Sequence, residues 1–576
     1  MAVKKLRAIF AFKRIAATGI ENLKGMSIFV LKFNAVKMLK ENAQLSQLIL
    51  LRNKFGNDFQ VEKKTLLLEL KKQRKFKVSA FKKYHDVLLF LLAYPENKEL
   101  YNLACSELQR LSDLLPSQSN LARQLYQFGI CHTQCSGKFS YELIRWLKLA
   151  YKSQVQMDPI EVEDAKVISI LNLVMPEIST EILQEGQVKW KSWLLGFRLK
   201  KSESLLEILL RIFGNSSLTP RLKELLWSDL DIYINLKLNE ALPTRSTVLA
   251  IDYKLCYHKE IRKQFFTKQI LNQKMVEFFL SNEQKQTLIC SSRMALACYQ
   301  RETDPITFAD KHNCHYYQLA NGVSLALFGL PPEKRQVIDS YIGYLAFKNG
   351  LPIAYGGGWI FADSCRIGIN IFPAFRGGES ALLFTQILSA YKNIFNLNRF
   401  TVDPYQIGKN NSEGIQSGAF WMYYRLGFRP LQKEYKKLAA QEFELLLNKH
   451  YKTSASTLKK LANSILEFHV NSPQKSISFD ACNLSKIAQK NSSIFSISTQ
   501  SPSIKKLFNS NRFSQNWIVL FDWKNCPKEK LKTILKAIED LSKLKQSGDE
   551  WKYITALQNQ SILIKELKTM VDTPKT

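Results

Sequence analysis

The chain has 576 residues, of which 46% are apolar and 23% charged, a composition that excludes wholesale disorder and predicts several folded domains. Its net charge of +32 at pH 7 favours acidic or phosphate-bearing partners, such as nucleic acid or an anionic membrane. The first 90 residues carry 20 Lys and Arg against 6 Asp and Glu. Because AT-rich bacterial genomes also encode abundant lysine, we favour a solvent-exposed basic surface over a dedicated polyanion site.

The cysteines and the apolar runs bear on the compartment. Ten cysteines are scattered without framework spacing, which predicts free thiols in a reducing environment. Cys131–Cys135 and His312–His315 contain possible metal ligands without a zinc-site spacing, so no metal is predicted. Lys13 and Arg14 interrupt the N-terminal apolar stretch, which argues against a signal peptide. The longest charge-free apolar run, Val87–Tyr94, is far shorter than the ~20 residues of a membrane helix. We expect a cytoplasmic protein without a transmembrane segment.

Residues 1–240 are predicted to form a basic, all-helical region. Apolar residues keep a helical period after Val87, and Ser202–Phe213 and Leu222–Leu238 repeat the pattern. Within this region Lys71–Lys83 holds seven basic residues and two phenylalanines. It is either a polyanion-binding patch with aromatic support or the solvent-exposed side of a helix, and we favour the second.

Residues 241–315 are predicted as a helical connector, with a helix over Ile261–Phe279. From residue 316 the pattern changes to two hairpins, because Asn321-Gly322 and Asn349-Gly350 supply the positive φ angles of tight turns. A strand, a helix, a strand and a helix follow at Cys365–Phe372, Ser380–Phe395, Arg399–Asp403 and Gly414–Leu426. Residues 316–440 therefore have an α/β pattern.

Residues 441–576 are predicted to be mostly helical, and their role is unknown. Gln441–Phe468 has a helical pattern, and Ser472–Ser503 is serine-rich without a period. Trp517–Asp522 is predicted as a strand, and Lys528–Met570 as a helical pair.

Two segments about forty residues apart carry the chemistry. In Ile371–Ala381 (IFPAFRGGESA) an apolar strand runs into a glycine turn that opens a helix. The free N–H groups and the dipole of a helix N-terminus bind phosphate oxygens, glycines let the backbone approach the ligand, and Arg376 could add a charged donor. Since many α/β turns look like this, the segment alone predicts either a phosphate site or an ordinary turn.

The second segment, Ser417–Phe428, is an amphipathic helix that ends on Leu-Gly-Phe. Tyr423 lies four residues before its glycine, Gly427. Together the two segments, within about 340–435, resemble the acyl-CoA and tyrosine motifs of the GNAT superfamily of N-acetyltransferase-like proteins. The residues in register with those motifs are Ile371, Pro373, Arg376, Gly377, Ala381, Ala419, Tyr423, Gly427 and Phe428.

The resemblance implies a mixed central sheet flanked by helices and an N-acyltransferase that uses acetyl-CoA or another acyl-CoA. It implies that the main chain of Ile371 and Phe372 pairs with the pantetheine arm. It also implies a pyrophosphate cradle with Arg376 beside it, formed by the amides of Gly377, Gly378, Glu379, Ser380 and Ala381. Tyr423 would protonate the leaving thiolate. The alternative for Tyr423 is a helix tyrosine packed on the sheet.

Three positions complicate this expectation. Glu379 stands where the family has a glycine; it either caps the helix or repels an anionic ligand unless it turns away. Gln416 stands where the family has an asparagine. Asp403 ends a strand beside the expected V-shaped opening of the sheet and could act as a base. A turn-starting aspartate before Pro404 is the interpretation we favour.

Three functions remain open from the sequence. The first is acyl transfer from an acyl-CoA to the amine of an unidentified acceptor. The second is a transferase of the same fold that uses aminoacyl-tRNA, and the third is an inactive scaffold or nucleic-acid-binding protein. An acidic protein or a nucleic acid could bind through the basic N-terminal region.

Overall fold

The computed structural model describes residues 43–158, 163–184, 188–249, 251, 254–448, 450–471, 481–494, 496–523, 526–547 and 549–572. Over these residues the protein is a mixed α+β structure in which a large mixed sheet is flanked by helices. The coarse prediction of a mixed central sheet between helices is therefore confirmed. The N-terminal twenty residues and part of the serine-rich segment lie outside the described residues.

The first helices pack into the same hydrophobic core as the large sheet. They are α1 (43–51), α2 (Asn57–Lys71), α3 (Val78–Ala93), α4 (Lys98–Leu114) and α5 (Ser119–Gln124). Every side chain from Val87 to Tyr94 is buried, so this apolar run is the C-terminal half of a core helix and its C-cap. Asn97 caps α4 by accepting the Leu100 N–H group.

The next region is not all-helical, which corrects the prediction for residues 1–240. Three short strands pair antiparallel in the order β1-β3-β2: β1 (Gln134–Gly137), β2 (Val155–Met157) and β3 (Ile234–Lys237). Strands of three or four residues show too little alternation to be recognised in the sequence. With the surrounding helices they enclose a second core. Those helices are α6 (Tyr141–Tyr151), α7 (Asp164–Val174), α8 (Glu177–Gln184), α9 (Trp190–Leu195), α10 (Leu205–Asn215) and α11 (Pro220–Asp229).

The predicted helix over Ile261–Phe279 is wrong. This part of the chain contains only the short α12 (Thr267–Leu271) and β4 (Val276–Glu277), which pairs with β5 at the edge of the large sheet. Backbone groups around it bond to distant partners instead; for example, the Arg262 N–H group donates to Glu379. The helices α13 (Asn282–Cys298) and α14 (Asp304–Thr307) follow.

The large sheet has nine strands in the order β11-β12-β10-β9-β8-β7-β6-β5-β4. Both predicted hairpins are confirmed, with φ angles of 62° and 68° at Asn321 and Gly322 and of 47° and 78° at Asn349 and Gly350. The strands are β5 (Cys314–Gln318), β6 (Val323–Phe328), β7 (Ser340–Lys348), β8 (Leu351–Phe361), β9 (Ser364–Ile371), β10 (Arg399–Val402), β11 (Arg429–Pro430) and β12 (Leu466–His469).

One pair of neighbouring strands, β9 and β10, runs parallel, and α15 (Ser380–Phe395) connects them. The bounds of α15 are those predicted from the sequence. It packs on one face of the sheet, where the Tyr391 hydroxyl donates to the Ile342 carbonyl at 2.7 Å. The predicted helix Gly414–Leu426 is instead two helices, α16 (Ser412–Ser417) and α17 (Ala419–Arg425), because Gly418 between them has a φ of 64°.

The tail departs from three predictions. Gln441–Phe468 is not a single helix, since it contains the end of α18 (Lys433–Leu445), α19 (Ala455–Leu461) and most of β12. Trp517 belongs to a helix rather than a strand, because Asn511 caps α22 (Arg512–Val519) and short apolar runs do not distinguish helix from strand. The predicted pair over Lys528–Met570 is three helices. The remaining helices are α20 (Ala481–Ile494), α21 (Pro502–Phe508), α23 (Lys528–Gln546), α24 (Glu550–Asn559) and α25 (Ser561–Asp572).

Candidate functional site

The sheet opens between β9 and β10. These strands pair only over Ser364–Arg366, whereas β9 continues beside β8 to Ile371. The Phe372 N–H group donates to the Ile353 carbonyl of β8 at 3.0 Å. Because the backbone groups of successive strand residues point alternately to the two sides, those of Ile369 point away from β8, toward the side of β10. Within the described ranges no strand covers that side beyond Arg366. The last five residues of β9 therefore have one edge that no described strand pairs with, and we call the space along this edge the opening.

Tyr423, on α17, lies against this edge. Its hydroxyl group is hydrogen-bonded to the backbone of Ile369, and its ring meets Phe384 edge-on at 5.2 Å. Only 1% of the residue is exposed. Burial raises the pKa of the Tyr423 hydroxyl, and the hydrogen bond with Ile369 opposes the rise. The group is thus protonated at neutral pH.

The glycine turn follows at the end of β9. Gly377 has a φ of +86°, in the left-handed region that favours glycine. The C-terminal end of α3 covers the turn: a Cβ atom on Gly378 would lie 2.6 Å from the Tyr94 hydroxyl oxygen. The same hydroxyl accepts the Glu379 N–H group at 3.3 Å. The turn is consequently fixed by a tyrosine from the N-terminal helices.

Glu379 occupies the N-cap position of α15, but its side chain accepts no helix N–H group, so the capping interpretation is wrong. Its carboxylate lies 2.8 Å from the Lys348 Nζ atom and accepts the Arg262 N–H group at 3.0 Å. Glu379 is 6% exposed and Lys348 1% exposed. Burial lowers the pKa of the Lys348 ammonium, and the charge of Glu379 opposes this. The carboxylate is therefore neutralised by an ion pair inside the protein.

Two arginines flank the turn. Arg376 forms a half-exposed ion pair with Glu413, and its backbone carbonyl accepts a hydrogen bond from the Arg52 Nη2 atom at 2.9 Å. The guanidinium group of Arg52 lies over the Phe90 ring at 4.9 Å. The sequence contains no signal for Arg52 here, because 324 residues separate it from Arg376. Tyr94 and Lys348 were also missed, because they lie on other elements, 285 and 31 residues from Glu379.

The strand residues before the turn differ in their surroundings. Ile371 is half-buried and pairs with Ala354 on β8. Phe372 is buried, and its ring stacks on that of Tyr299 at 3.9 Å. Ser380 and Ala381 are partly exposed at the start of α15, next to the turn. These predicted donor-binding residues therefore follow one another along β9 and into the helix.

Asp403 lies at the other end of the opening. Its carboxylate is 3.6 Å from the Nε atom of Arg366, the last β9 residue paired with β10. Arg366 lies over the Trp359 ring at 4.9 Å, and Trp359 stacks on Tyr341 at 4.1 Å. Arg366 and Phe372 are six residue steps apart, which is roughly 20 Å of extended chain at about 3.3 Å per residue. The opening thus has Asp403 at its closed end, Tyr423 along its β9 edge and the glycine turn at its far end.

Comparison of the chain with models of protein families, with curated proteins and with solved structures finds no match. In the part of the chain that the structure describes, no helix combines the length and apolar character needed to cross a bilayer. Over the same residues, no group of three or more His, Cys, Asp or Glu side chains is placed to hold a metal ion. The geometry of the opening is therefore the basis for inferring a function.

Proposed function

We propose that the protein is an N-acyltransferase that moves an acyl group from a CoA thioester, such as acetyl-CoA, to an amine. The observation that carries the proposal is the alignment along β9 of an open strand edge, Tyr423 beside Ile369, and a glycine turn that opens a helix. Between the two motifs lie α15, β10 and the short α16, whereas the GNAT resemblance implies one helix and one strand.

The donor would lie along β9. The backbone groups of Ile371, on the same side of β9 as those of Ile369, support this, since they can pair with the amides of a pantetheine arm as an added strand does. Phe372 does not fit the expected pairing, because its N–H group donates to Ile353 and its carbonyl accepts the Phe375 N–H group. The amides at the start of α15, together with Arg52 and Arg376, suit a pyrophosphate. Glu379 does not oppose that anion strongly, because its buried carboxylate is paired with the Lys348 ammonium group.

The transfer would then proceed in the opening. The amine nitrogen attacks the thioester carbon, the C–S bond breaks, and the thiolate takes the proton of the Tyr423 hydroxyl. The new C–N bond leaves a cationic nitrogen, whose proton goes to a base, for which Asp403 is the candidate. Burial favours the protonated form of Tyr423, which suits an acid rather than a base.

An inactive scaffold is the second candidate, and two observations favour it. Tyr423 is 1% exposed, and the Tyr94 hydroxyl accepts the Glu379 N–H group, one of the amides that would bind the pyrophosphate. Donor binding would then need Tyr94 to move. The third candidate is transfer from aminoacyl-tRNA, which the high positive charge of the N-terminal region supports.

Thermal unfolding with acetyl-CoA, pantetheine and aminoacyl-tRNA separates the three. At a concentration of ~100 Kd a ligand stabilises the folded state by about 2.7 kcal/mol. We expect acetyl-CoA to stabilise the protein more than pantetheine, which lacks the pyrophosphate. Arg52→Gln should weaken this effect, whereas Arg221→Gln, an exposed arginine on α11, should not. Absence of stabilisation by acetyl-CoA would refute the CoA proposal, and stabilisation by aminoacyl-tRNA instead would favour the third candidate.

Turnover distinguishes an enzyme from a scaffold that still binds CoA. Release of free CoA thiol would be followed with a panel of small amines and lysine-containing peptides. Tyr423→Phe should retain stabilisation by acetyl-CoA and lower the rate by about 10²–10⁴-fold, the usual contribution of a general acid. Equal rates for Tyr423→Phe and the unmodified chain would exclude Tyr423 as the acid.

A further inference from the structure

The connection between α2 and α3 presents a cluster of cations to solvent. We call Lys71–Lys83 the basic loop, although it includes the last residue of α2 and the first six residues of α3. Its exposed cations are Lys71, Lys72, Arg74, Lys75, Lys77 and Lys83. Lys72 pairs with Glu69 at 2.7 Å, and the described residues hold no carboxylate within ion-pair distance of the other five. The cluster is therefore largely uncompensated.

The backbone of the basic loop is fixed against α4 and α5. Arg110 Nη1 donates to the Gln73 carbonyl at 2.8 Å, and Gln118 Nε2 donates to the Arg74 carbonyl at 2.9 Å. A third bond, from Gln73 Nε2 to the Lys75 carbonyl at 2.9 Å, closes the turn. These bonds hold the loop with its cations directed outward, so binding an anion needs little further ordering of the backbone.

The same loop ends at the N-terminus of a long helix. α3 has 16 residues, its N-cap Lys77 provides no capping side chain, and its first turn contains no acidic residue. Its dipole and its first N–H groups therefore add to the attraction that the surrounding cations exert on phosphate oxygens.

The aromatic residues of the segment do not stand free on this surface. Phe81 is buried, and Phe76 is partly buried, because its ring packs against Phe81 at 5.7 Å and against Tyr84 at 6.1 Å. Stable membrane attachment requires an inserted apolar group in addition to a polybasic patch, and stacking on bases requires an exposed ring. The surface instead suits a partner that presents a row of phosphates.

We infer that the basic loop is a nucleic-acid-binding surface that contacts the phosphate backbone without reading the bases. This inference does not depend on the proposed acyl transfer. The C-terminal end of α3 contacts the glycine turn, and a helix of 16 residues is about 24 Å long. A bound nucleic acid would thus lie about 24 Å from the turn.

The test measures binding of the full chain to a fluorescent 25-base-pair DNA duplex and to a tRNA transcript over a range of salt concentrations. The variant Arg74→Gln/Lys75→Gln/Lys77→Gln removes three exposed cations. The matched control, Lys433→Gln/Lys436→Gln/Lys437→Gln, removes three from α18 and has the same net charge. Thermal unfolding verifies that both variants fold.

We expect the basic-loop variant to bind both nucleic acids at least ~10-fold more weakly at ~0.1 M salt. Its plot of log affinity against log salt should lose about 1 unit of slope per removed contact. The control should retain both values. Equal weakening of the two variants would overturn the inference in favour of overall charge, and an unchanged basic-loop variant would overturn it outright. Loop-dependent binding to phosphatidylserine vesicles without binding to nucleic acid would identify a membrane surface instead.

Discussion

The buried pair Glu379–Lys348 provides the sharpest test of the structure. Glu379→Gln removes the carboxylate charge and keeps the shape of the side chain. Lys348 then lies almost fully buried without a counter-charge, and its acceptors are neutral oxygens such as the Asn321 carbonyl at 2.7 Å. Because an unpaired ammonium group in the interior is costly, we expect the folded state to lose stability.

The size of the loss follows from burial. Removing one partner of a buried ion pair costs about 3–5 kcal/mol, because the other charge remains uncompensated. About 1 kcal/mol shifts the melting temperature of a folding unit of 150–250 residues by roughly 2–4 °C. Glu379→Gln should therefore lower the melting temperature by at least ~6 °C. Lys348→Met should act similarly, since it leaves the carboxylate unpaired.

A double-mutant cycle measures the interaction directly. Thermal unfolding of Glu379→Gln, Lys348→Met and the double variant should show a double loss smaller than the sum of the single losses. Glu539→Gln is the matched control, because Glu539 lies 2.7 Å from Lys543 in an exposed pair with nearly the same separation as the 2.8 Å of the buried one. We expect no resolvable change in this control.

Two results would refute the reasoning. If Glu379→Gln and the Glu539→Gln control had the same melting temperature, Glu379 would face solvent, where it could repel a pyrophosphate. Additive single losses in the cycle would mean that the two side chains do not interact.

Three further predictions concern the same region. Burial and the charge of Lys348 lower the pKa of His258 from 6.5 to about 4, so the folded state binds fewer protons than the unfolded state between these values. Stability should fall by up to about 3 kcal/mol as the pH drops from 6.5 to 4, and melting curves of His258→Phe should lack that loss. Gly378→Ala should lower the melting temperature by a few °C, because the added methyl group would overlap Tyr94. Adding Tyr94→Leu should restore part of that loss. An unchanged melting temperature for Gly378→Ala would contradict the packing of α3 on the turn. Asp403→Asn should slow CoA release with little change in melting temperature, because Asp403 is about 40% exposed; an unchanged rate would exclude it as the base.

Local sequence signals predicted the elements around the site well. The Asn-Gly turns determined both hairpins, since few other residues accept positive φ angles in succession. The amphipathic pattern from Ser380 to Phe395 identified α15 and, with the glycine turn before it, the N-terminus that would face a phosphate. The basic character of Lys71–Lys83 was equally visible in the sequence.

Long-range contacts decided what the sequence left open. From the sequence, Glu379 was expected either to cap the helix or to repel an anionic ligand. In the structure it pairs with Lys348, 31 residues away, because tertiary packing buries both groups. β12 and the strands β1–β3 form only because distant partners satisfy their backbone groups.

By itself, the sequence determined a helix opened by a glycine turn and a tyrosine placed on a later helix, because turn chemistry and helical periodicity are local properties. Only the tertiary structure decided that β9 parts from β10 beyond Arg366, that Tyr94 and Arg52 cover the turn, and that the Glu379 carboxylate points inward. Each of these depends on side chains or strands far apart in the chain, whose proximity no local pattern encodes.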